Sequence, residues 1–508
     1  MRSGLERHGR DVFLDVLRVA AVLIVVAGHW ATTAVIWEEG QIAGENALSV
    51  IPKSHLATWL LQVMPLLFFV GGFANARSLA HHSGEYLAYL RTRLVRLLAP
   101  TVAFMAVWLV VGIVAEALPL SEPNVVERAA DVAALPLWFL GLYVVVVALA
   151  PPLRRLHQHL GWWVPVLFVA GAAAVDVLVH GLGYNAVGVA NYALVWLLPH
   201  QLGFFYADGQ LERVSGRVAG ALAAVGLLGL VVAITVGGYP VSMIGVPGEN
   251  RWNTDPPSLP LVALTMWLIG LALLARPRIR SWALRRRRLV KRLNGITLTL
   301  YLWHVSALAI AAAVVYPLGF PRSDTGSALW WATRPLWLAV LVPFLLLLVY
   351  GFRRFEVHQA PQLIPRFADH RARLVAAGIG VMSLALGILG FSVTGFDHVA
   401  TESGGSVLAF SMNPLQSVLH VAVGLGVLWA AYRPVSVVPG ATAASLLYLL
   451  LGVAGWSTGI TLFAMNPATA RLHTVVGSLG LALLTLAVTS DRTHPRRPSP
   501  TGTTGQGG

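Results

Sequence analysis

The chain contains no cysteine. That absence excludes disulfides, thiolate metal sites, a cysteine nucleophile and an acyl relay through a cysteine. Charge is also scarce: 11% of the 508 residues are Asp, Glu, Lys or Arg, against about 25% in an ordinary soluble domain. With 56% hydrophobic residues, most of the chain cannot face water on all sides. A membrane protein is the class this composition leaves.

What the sequence has instead is a succession of long apolar runs with short polar breaks, each close to the roughly 20 residues a helix needs to cross a bilayer. The expectation is an all-α, polytopic transmembrane helix bundle of about fourteen spans. They fall at 13–36, 57–75, 97–117, 132–150, 162–181, 190–207, 217–236, 258–275, 294–316, 329–350, 372–392, 412–431, 441–463 and 470–489. The first run is full length, contains Asp15 and Arg18, and lacks a small-residue cleavage site behind it. It reads as a retained span rather than a signal peptide.

A formal charge of +14 invites a nucleic-acid reading, but the distribution of basic residues argues against one. Of 36 Lys and Arg, 29 fall in the termini and in alternate loops, at 76–96, 151–161, 208–217, 276–293, 351–373 and 432–434. By the positive-inside rule those loops and both termini are expected in the cytoplasm, with loops such as 37–56 and 237–257 outside. Arg outnumbers Lys 34 to 2, which fits a GC-rich bacterial genome and a bacterial plasma membrane.

The chain divides into blocks. Residues 1–355 carry the first ten spans, 356–371 read as a cytoplasmic linker, 372–489 hold four further spans, and 490–508 form a Pro-, Gly-, Ser- and Thr-rich tail expected to be disordered. The second block contains an internal repeat. Asn413-Pro414 with His420 and Gly424 recurs 53 residues later as Asn466-Pro467 with His473 and Gly477. Each Asn-Pro is expected at the start of a helix, where Pro suits the first turn.

The first span, FLDVLRVAAVLIVVAGHW from Phe13 to Trp30, carries three groups that are costly in lipid: Asp15, Arg18 and His29. Asp15 and Arg18 share a helical face near the cytoplasmic end, where a local ion pair or a headgroup anchor would account for them. His29 lies eleven residues beyond Arg18, about 16 Å higher on nearly the same face. Read alone, it is more often a packed or interfacial histidine than a functional one. Imidazole is nevertheless suited to take a hydroxyl proton or to carry an acyl group near neutral pH.

The combination of elements resembles the acyltransferase 3 family of membrane-bound O-acyltransferases. Its signature, an Arg followed by ten residues and a His in the first helix, corresponds to Arg18 and His29. Further similarities are the Asp15 lead-in, PLLFFVGGF from Pro65 to Phe73, YLRTRLVRLLAP from Tyr89 to Pro100, LWFLGLY from Leu137 to Tyr143, and LYLWH ending at His304. The resemblance spans about the first 340 residues. It implies transfer of an acetyl or other short acyl group, usually from acyl-CoA, onto the hydroxyl of an exported glycan, lipid or metabolite. No bound cofactor and no metal are expected, and the partners are acyl-CoA, the hydroxyl acceptor and membrane lipids.

On that reading His29 and Arg18 are catalytic, and Asp15 and His304 support them; a buried structural role fits His304 equally well. Arg91, Arg93 and Arg96 are candidates for the phosphates of CoA, although topogenic anchoring explains them too. The denser run Arg285 to Arg288, with Lys291 and Arg292, reads more often as a positive-inside stop or a lipid-headgroup contact than as a donor-binding site. Asn250, Trp252, Asn253 and Asp255 in the outer loop are the acceptor candidates, against the plainer reading of a capping loop. Arg334 is expected to snorkel. The second block resembles a small four-helix membrane domain of unknown function, and His420 and His473 are expected to hydrogen-bond across packed helices.

A secondary transporter or flippase would also suit fourteen spans and a parallel repeat, but the repeat is confined to the last four. A non-catalytic sensor that binds acyl-CoA without turnover is the third reading, against which the intact Arg18 and His29 weigh.

Overall fold

Asp11 ends the polar N-terminal segment and accepts the backbone N–H of Phe13 at 2.8 Å, capping the first helix, α1 (Val12–Thr32). The computed structural model describes residues 11–38, 41–82, 85–117, 125–356, 370–400, 405–433, 436–458 and 463–493. Most of the expected linker at 356–371 and the tail beyond Thr493 lie outside the described residues.

The helix α1 stops at Thr32, four residues before the expected end of the span, because the β-branched run that follows turns extended. Strands β1 (Thr33–Glu38) and β2 (Gln41–Asn46) pair antiparallel, with Thr33 opposite Asn46. After the short helices α2 (Ala47–Val50) and α3 (Thr58–Leu61) come α4 (Met64–His81) and α5 (Tyr86–Ala117). They are followed by α6 (Val125–Ala133), α7 (Leu137–Leu160), α8 (Trp163–Asp176), α9 (Ala190–Ala207) and α10 (Gly216–Thr235). The first block ends with α11 (Leu259–Arg285), α12 (Arg287–Asn294), α13 (Thr297–Val315) and α14 (Ala328–Phe352). Serine caps recur: Ser215 accepts Val218 N at the start of α10, and Ser327 accepts Trp330 N at the start of α14.

Thirteen helices among the described residues are long and apolar enough to cross a membrane, and the protein is an all-α, multi-pass membrane protein. The remaining expected span, 190–207, is the helix α9. It contains Asn191, His200 and Gln201, all buried. Each has a partner inside the bundle: Asn191 Nδ2 donates to Asp176 at 2.8 Å, His200 Nε2 lies 3.0 Å from Asn75 Nδ2, and Gln201 Nε2 lies 2.8 Å from His157 Nδ1. A helix enclosed by protein carries polar groups that a lipid-facing span of the same length would not tolerate.

The glycines of PLLFFVGGF have direct packing roles. Gly72 on α4 faces Gly203 on α9, and a Cβ on either would collide with the other helix's backbone, at the His200 or Phe69 carbonyl. Gly71 leaves room for the ring of Tyr143. Small residues let two membrane helices approach at backbone distance.

The chain separates into two compact units: residues 1–360 with Gly395–His398, and 361–394 with 399–508. The second contains α15 (His370–Thr394), α16 (Pro414–Ala431), α17 (Val437–Thr458) and α18 (Pro467–Thr493). Asn413 and Asn466 are side-chain N-caps, accepting Gln416 N and Thr469 N at 2.8 Å, and each is followed by Pro in the first turn.

The repeat extends further than the Asn-Pro and His-Gly elements. Leu384, Leu386, Gly387, Gly390 and Ser392 on α15 recur 65 residues later as Leu449, Leu451, Gly452, Gly455 and Ser457 on α17. The packing repeats with them: Gly424 meets Leu384 and the Gly380 carbonyl, and Gly477 meets Leu449 and the Ser445 carbonyl. The first helices are offset by 65 residues and the second helices by 53, because the α15–α16 connection is longer. That connection includes a small hairpin, β3 (Ser406–Val407) with β4 (Phe410–Ser411).

Each of the four helices sends one polar residue into a single buried network. Ser383 Oγ donates to Ile379 O, and Tyr448 OH donates to Ser383 Oγ, both at 2.8 Å. His420 Nδ1 lies 2.8 Å from Tyr448 OH, and His473 Nε2 lies 3.3 Å from His420 Nε2. The Ile379 carbonyl accepts only, so the protons run one way along the chain, from His473 to His420, Tyr448 and Ser383.

Candidate active site

The helix α1 is linked at two levels, below to the C-terminal end of α12 and above to α13. At the lower level Arg18 Nη1 donates to Asn294 Oδ1 at 3.3 Å, and Asn294 Nδ2 donates to Asp15 Oδ1 at 2.6 Å. At the upper level His29 Nδ1 lies 2.8 Å from His304 Nε2, and the two rings have centroids 4.9 Å apart. The interval on α1 is eleven residues and that on the partner side ten.

Hydrogen-bond direction at the upper level follows from a fixed acceptor. His304 Nδ1 lies 2.6 Å from the Tyr301 carbonyl, which can only accept, so this nitrogen carries the proton. His304 Nε2 is therefore a lone pair, and His29 Nδ1–H donates to it. The tautomer of His29 is set, and the Nε2 lone pair of His29 remains available to take a proton. His304 is fully buried and His29 only partly so.

The surroundings hold this pair firmly. Trp30 Nε1 donates to the His304 carbonyl at 2.9 Å, Tyr301 OH donates to Pro136 O at 2.9 Å, and Trp108 Nε1 donates to Ser306 Oγ at 3.0 Å. Arg334 on α14 donates to the carbonyls of Trp30, Ala31 and Thr33 at the end of α1, and its guanidinium lies 4.6 Å from the centre of the Trp330 ring. A cation on the last carbonyls of a helix complements the macrodipole, just as Asp11 does at the first turn.

Residues 11–354 match the family model described as an acyltransferase domain. The chain belongs to the acyltransferase 3 family. Residues 373–489 match a domain of unknown function, DUF4383. No curated protein and no solved structure matches the chain.

In this acyltransferase, Arg18 and Asp15 meet through Asn294, the first residue of the expected span 294–316, which nothing in the sequence singled out. Arg334, expected to snorkel, is instead 8% exposed and spends its donors on α1. The arginines before Pro100 have separate environments. Arg93 points inward and donates to Tyr143 OH at 2.9 Å, within a polar group that includes Asn75 and His200, whereas Arg96 faces outward.

The loop with the acceptor candidates is tethered over the α3 segment. Trp59 Nε1 donates to Val241 O, and Thr58 Oγ1 accepts Met243 N, each at 2.8 Å. Asn253 is buried and donates to Pro240 O and Ser242 O, so it organises the loop rather than facing a ligand. Trp252 Nε1 is engaged by Val246 O at 2.9 Å, and Asp255 accepts Tyr192 OH at 2.5 Å. Asn250 is exposed. Burial, and then the hydrogen bond to Asp176, raise the Tyr239 hydroxyl above its ordinary range in the same loop.

Proposed function

We propose that the protein transfers an acetyl or other short acyl group from cytosolic acyl-CoA to a hydroxyl at the outer face of a bacterial plasma membrane, with His29 as general base. The observation that carries this reading is the His29–His304–Tyr301 chain. It leaves a correctly tautomerised imidazole with one committed nitrogen and one available nitrogen. His304 plays the orienting part that a carboxylate plays in a hydrolase triad.

The acceptor hydroxyl gives its proton to His29 Nε2 as its oxygen attacks the thioester carbonyl. The resulting imidazolium is stabilised by the hydrogen bond from its Nδ1–H to His304 Nε2. Collapse of the tetrahedral adduct expels the thiolate, which takes the proton back from His29, giving the ester and free CoA. No residue is oxidised or reduced, and no acyl-enzyme is required.

The bias of basic residues toward one set of loops supports cytoplasmic termini. In that orientation Arg18 lies toward the donor side and His29 toward the outer end of α1. The exported acceptor is a glycan, glycolipid or metabolite that approaches past the tethered 239–258 loop.

Purified protein given acetyl-CoA and a membrane extract should release free CoA in step with ester formation. CoA release that never exceeds the protein-free control would contradict the reading. Mass spectrometry of lipids and glycans from a deletion strain identifies the acceptor as the species that loses an acyl mass.

A further inference from the structure

The basic run from Arg285 to Arg292 is more than a stretch of charge at a span end. Its second half folds as α12, which buries Val290 and packs against α1. At the C-terminal end of α12, Asn294 is the residue that holds Arg18 and Asp15, and the chain then turns through Gly295 into α13. Arg353 and Arg354, in the 3-10 turn that follows α14, complete the other wall. Together these elements line a cavity of about 830 Å³.

Five of the nine lining residues are cations, Arg288, Lys291, Arg292, Arg353 and Arg354, and none is acidic. Tyr350 adds a ring beside Arg353, 5.3 Å from its guanidinium. The volume lies within the roughly 300–1,000 Å³ of small-molecule sites. The N-terminus of α13 is not the attraction, because Glu356 already occupies it, accepting Leu298 N, Thr299 N and Thr299 Oγ1. The cavity is thus a cationic basin whose own acid is turned to a helix cap.

We propose that this basin binds the phosphorylated end of the thioester donor, the 3′-phosphate and diphosphate of CoA. The proposal rests on the acyl-CoA reading above. Planar guanidinium groups pair with phosphate oxygens in bidentate fashion, and a ligand with three phosphoryl groups matches a wall with several such forks. The position also fits the chemistry. Ile296 lines the basin and His304 lies eight residues further along the same helical rod, about 12 Å higher. An extended pantetheine arm is long enough to span that rise and bring the thioester to His29. Anionic phospholipid headgroups offer the same phosphate chemistry, so the test must separate the two sources.

The test uses full-length protein in nanodiscs, once with purely zwitterionic lipid and once with added anionic lipid. Binding of CoA, 3′-dephospho-CoA and adenosine 3′,5′-bisphosphate is measured without turnover. The variants are Arg353→Gln with Arg354→Gln, Arg288→Gln with Arg292→Gln, and as a control Arg280→Gln with Arg285→Gln on α11, outside the basin. In zwitterionic discs each basin variant should weaken CoA binding about tenfold or more, the scale of one lost charge-assisted contact. The preference for CoA over dephospho-CoA should shrink, and the control should bind normally.

Unchanged CoA affinity in the zwitterionic discs overturns the proposal. So does an effect confined to anionic discs, which would assign the basin to lipid. Because binding is read without turnover, tight CoA binding by a protein that never releases CoA from acetyl-CoA would sink the transferase reading and leave this site standing.

Discussion

The indole of Trp30 donates to the backbone carbonyl of His304, while the ring of His304 accepts from the neighbouring side chain, His29. Two consecutive residues of α1 thus address one residue of α13, one through its main chain and one through its side chain. This double contact fixes the separation and the rotation of the two helices where the acid–base chemistry is proposed. Misplacing a base by about 1 Å can cost two orders of magnitude in rate.

If His304 sets the tautomer of His29, His304→Ala should lower kcat on the order of 10²-fold, with little change in KM for the donor. The loss should be smaller than that from removing His29 itself. Steady-state kinetics in nanodiscs, with folding checked by thermal unfolding, measures both. A His304→Ala protein with normal kcat and a normal pH profile would assign this residue a packing role only.

Arg334 should matter through the end of α1. Arg334→Met strips three carbonyls of their donor and is expected to cost about 1–3 kcal/mol of stability. Arg334→Lys, which keeps a cation at the helix end but lacks the fork, should recover part of the stability and less of the turnover. Equal recovery of both by lysine would show that the charge alone suffices.

At the α4–α9 crossing, Gly72→Ala should prevent accumulation of folded protein, because the added methyl meets the backbone of His200 and not a flexible side chain. Overpacking of this kind costs about 1–3 kcal/mol or more. Gly426→Ala on α16, where a Cβ meets nothing within 4 Å, should leave stability within about 1 kcal/mol. Fluorescence-detected size exclusion separates the two outcomes.

The class of fold was legible from hydropathy alone, since thirteen helices among the described residues meet both length and apolarity. The helix α9 was legible as a run but not as an enclosed one. What it needed was the identity of its partners, Asn75, Asp176 and His157, on three other helices. His29 and His304 each stood out as a polar residue in an apolar span, yet nothing local joins residues 275 positions apart. Asn294 and Arg334 were opaque for the opposite reason. An Asn at a helix junction and an Arg near a span end have ordinary explanations, and only tertiary contacts replace them. The extended repeat in the second unit was available in the sequence, but its two offsets of 65 and 53 defeat a search for one fixed period.

In the C-terminal unit, Tyr448→Phe leaves His420 Nδ1 without its acceptor and Ser383 without its donor. A cost of about 1–3 kcal/mol is expected. Because the four residues act as one network, Ser383→Ala combined with Tyr448→Phe should cost less than the sum of the singles. Thermal unfolding of the four proteins gives the coupling, and strict additivity would show that the chain is not one network.

The central claim is that His29 Nε2 takes the acceptor proton. The most direct measurement is acyl transfer by His29→Ala in nanodiscs at saturating acetyl-CoA, alongside protein level, thermal stability and binding of adenosine 3′,5′-bisphosphate. The account predicts turnover reduced on the order of 10²-fold or more, with abundance, stability and nucleotide binding close to those of the unaltered protein. Turnover close to that of the unaltered protein would contradict it.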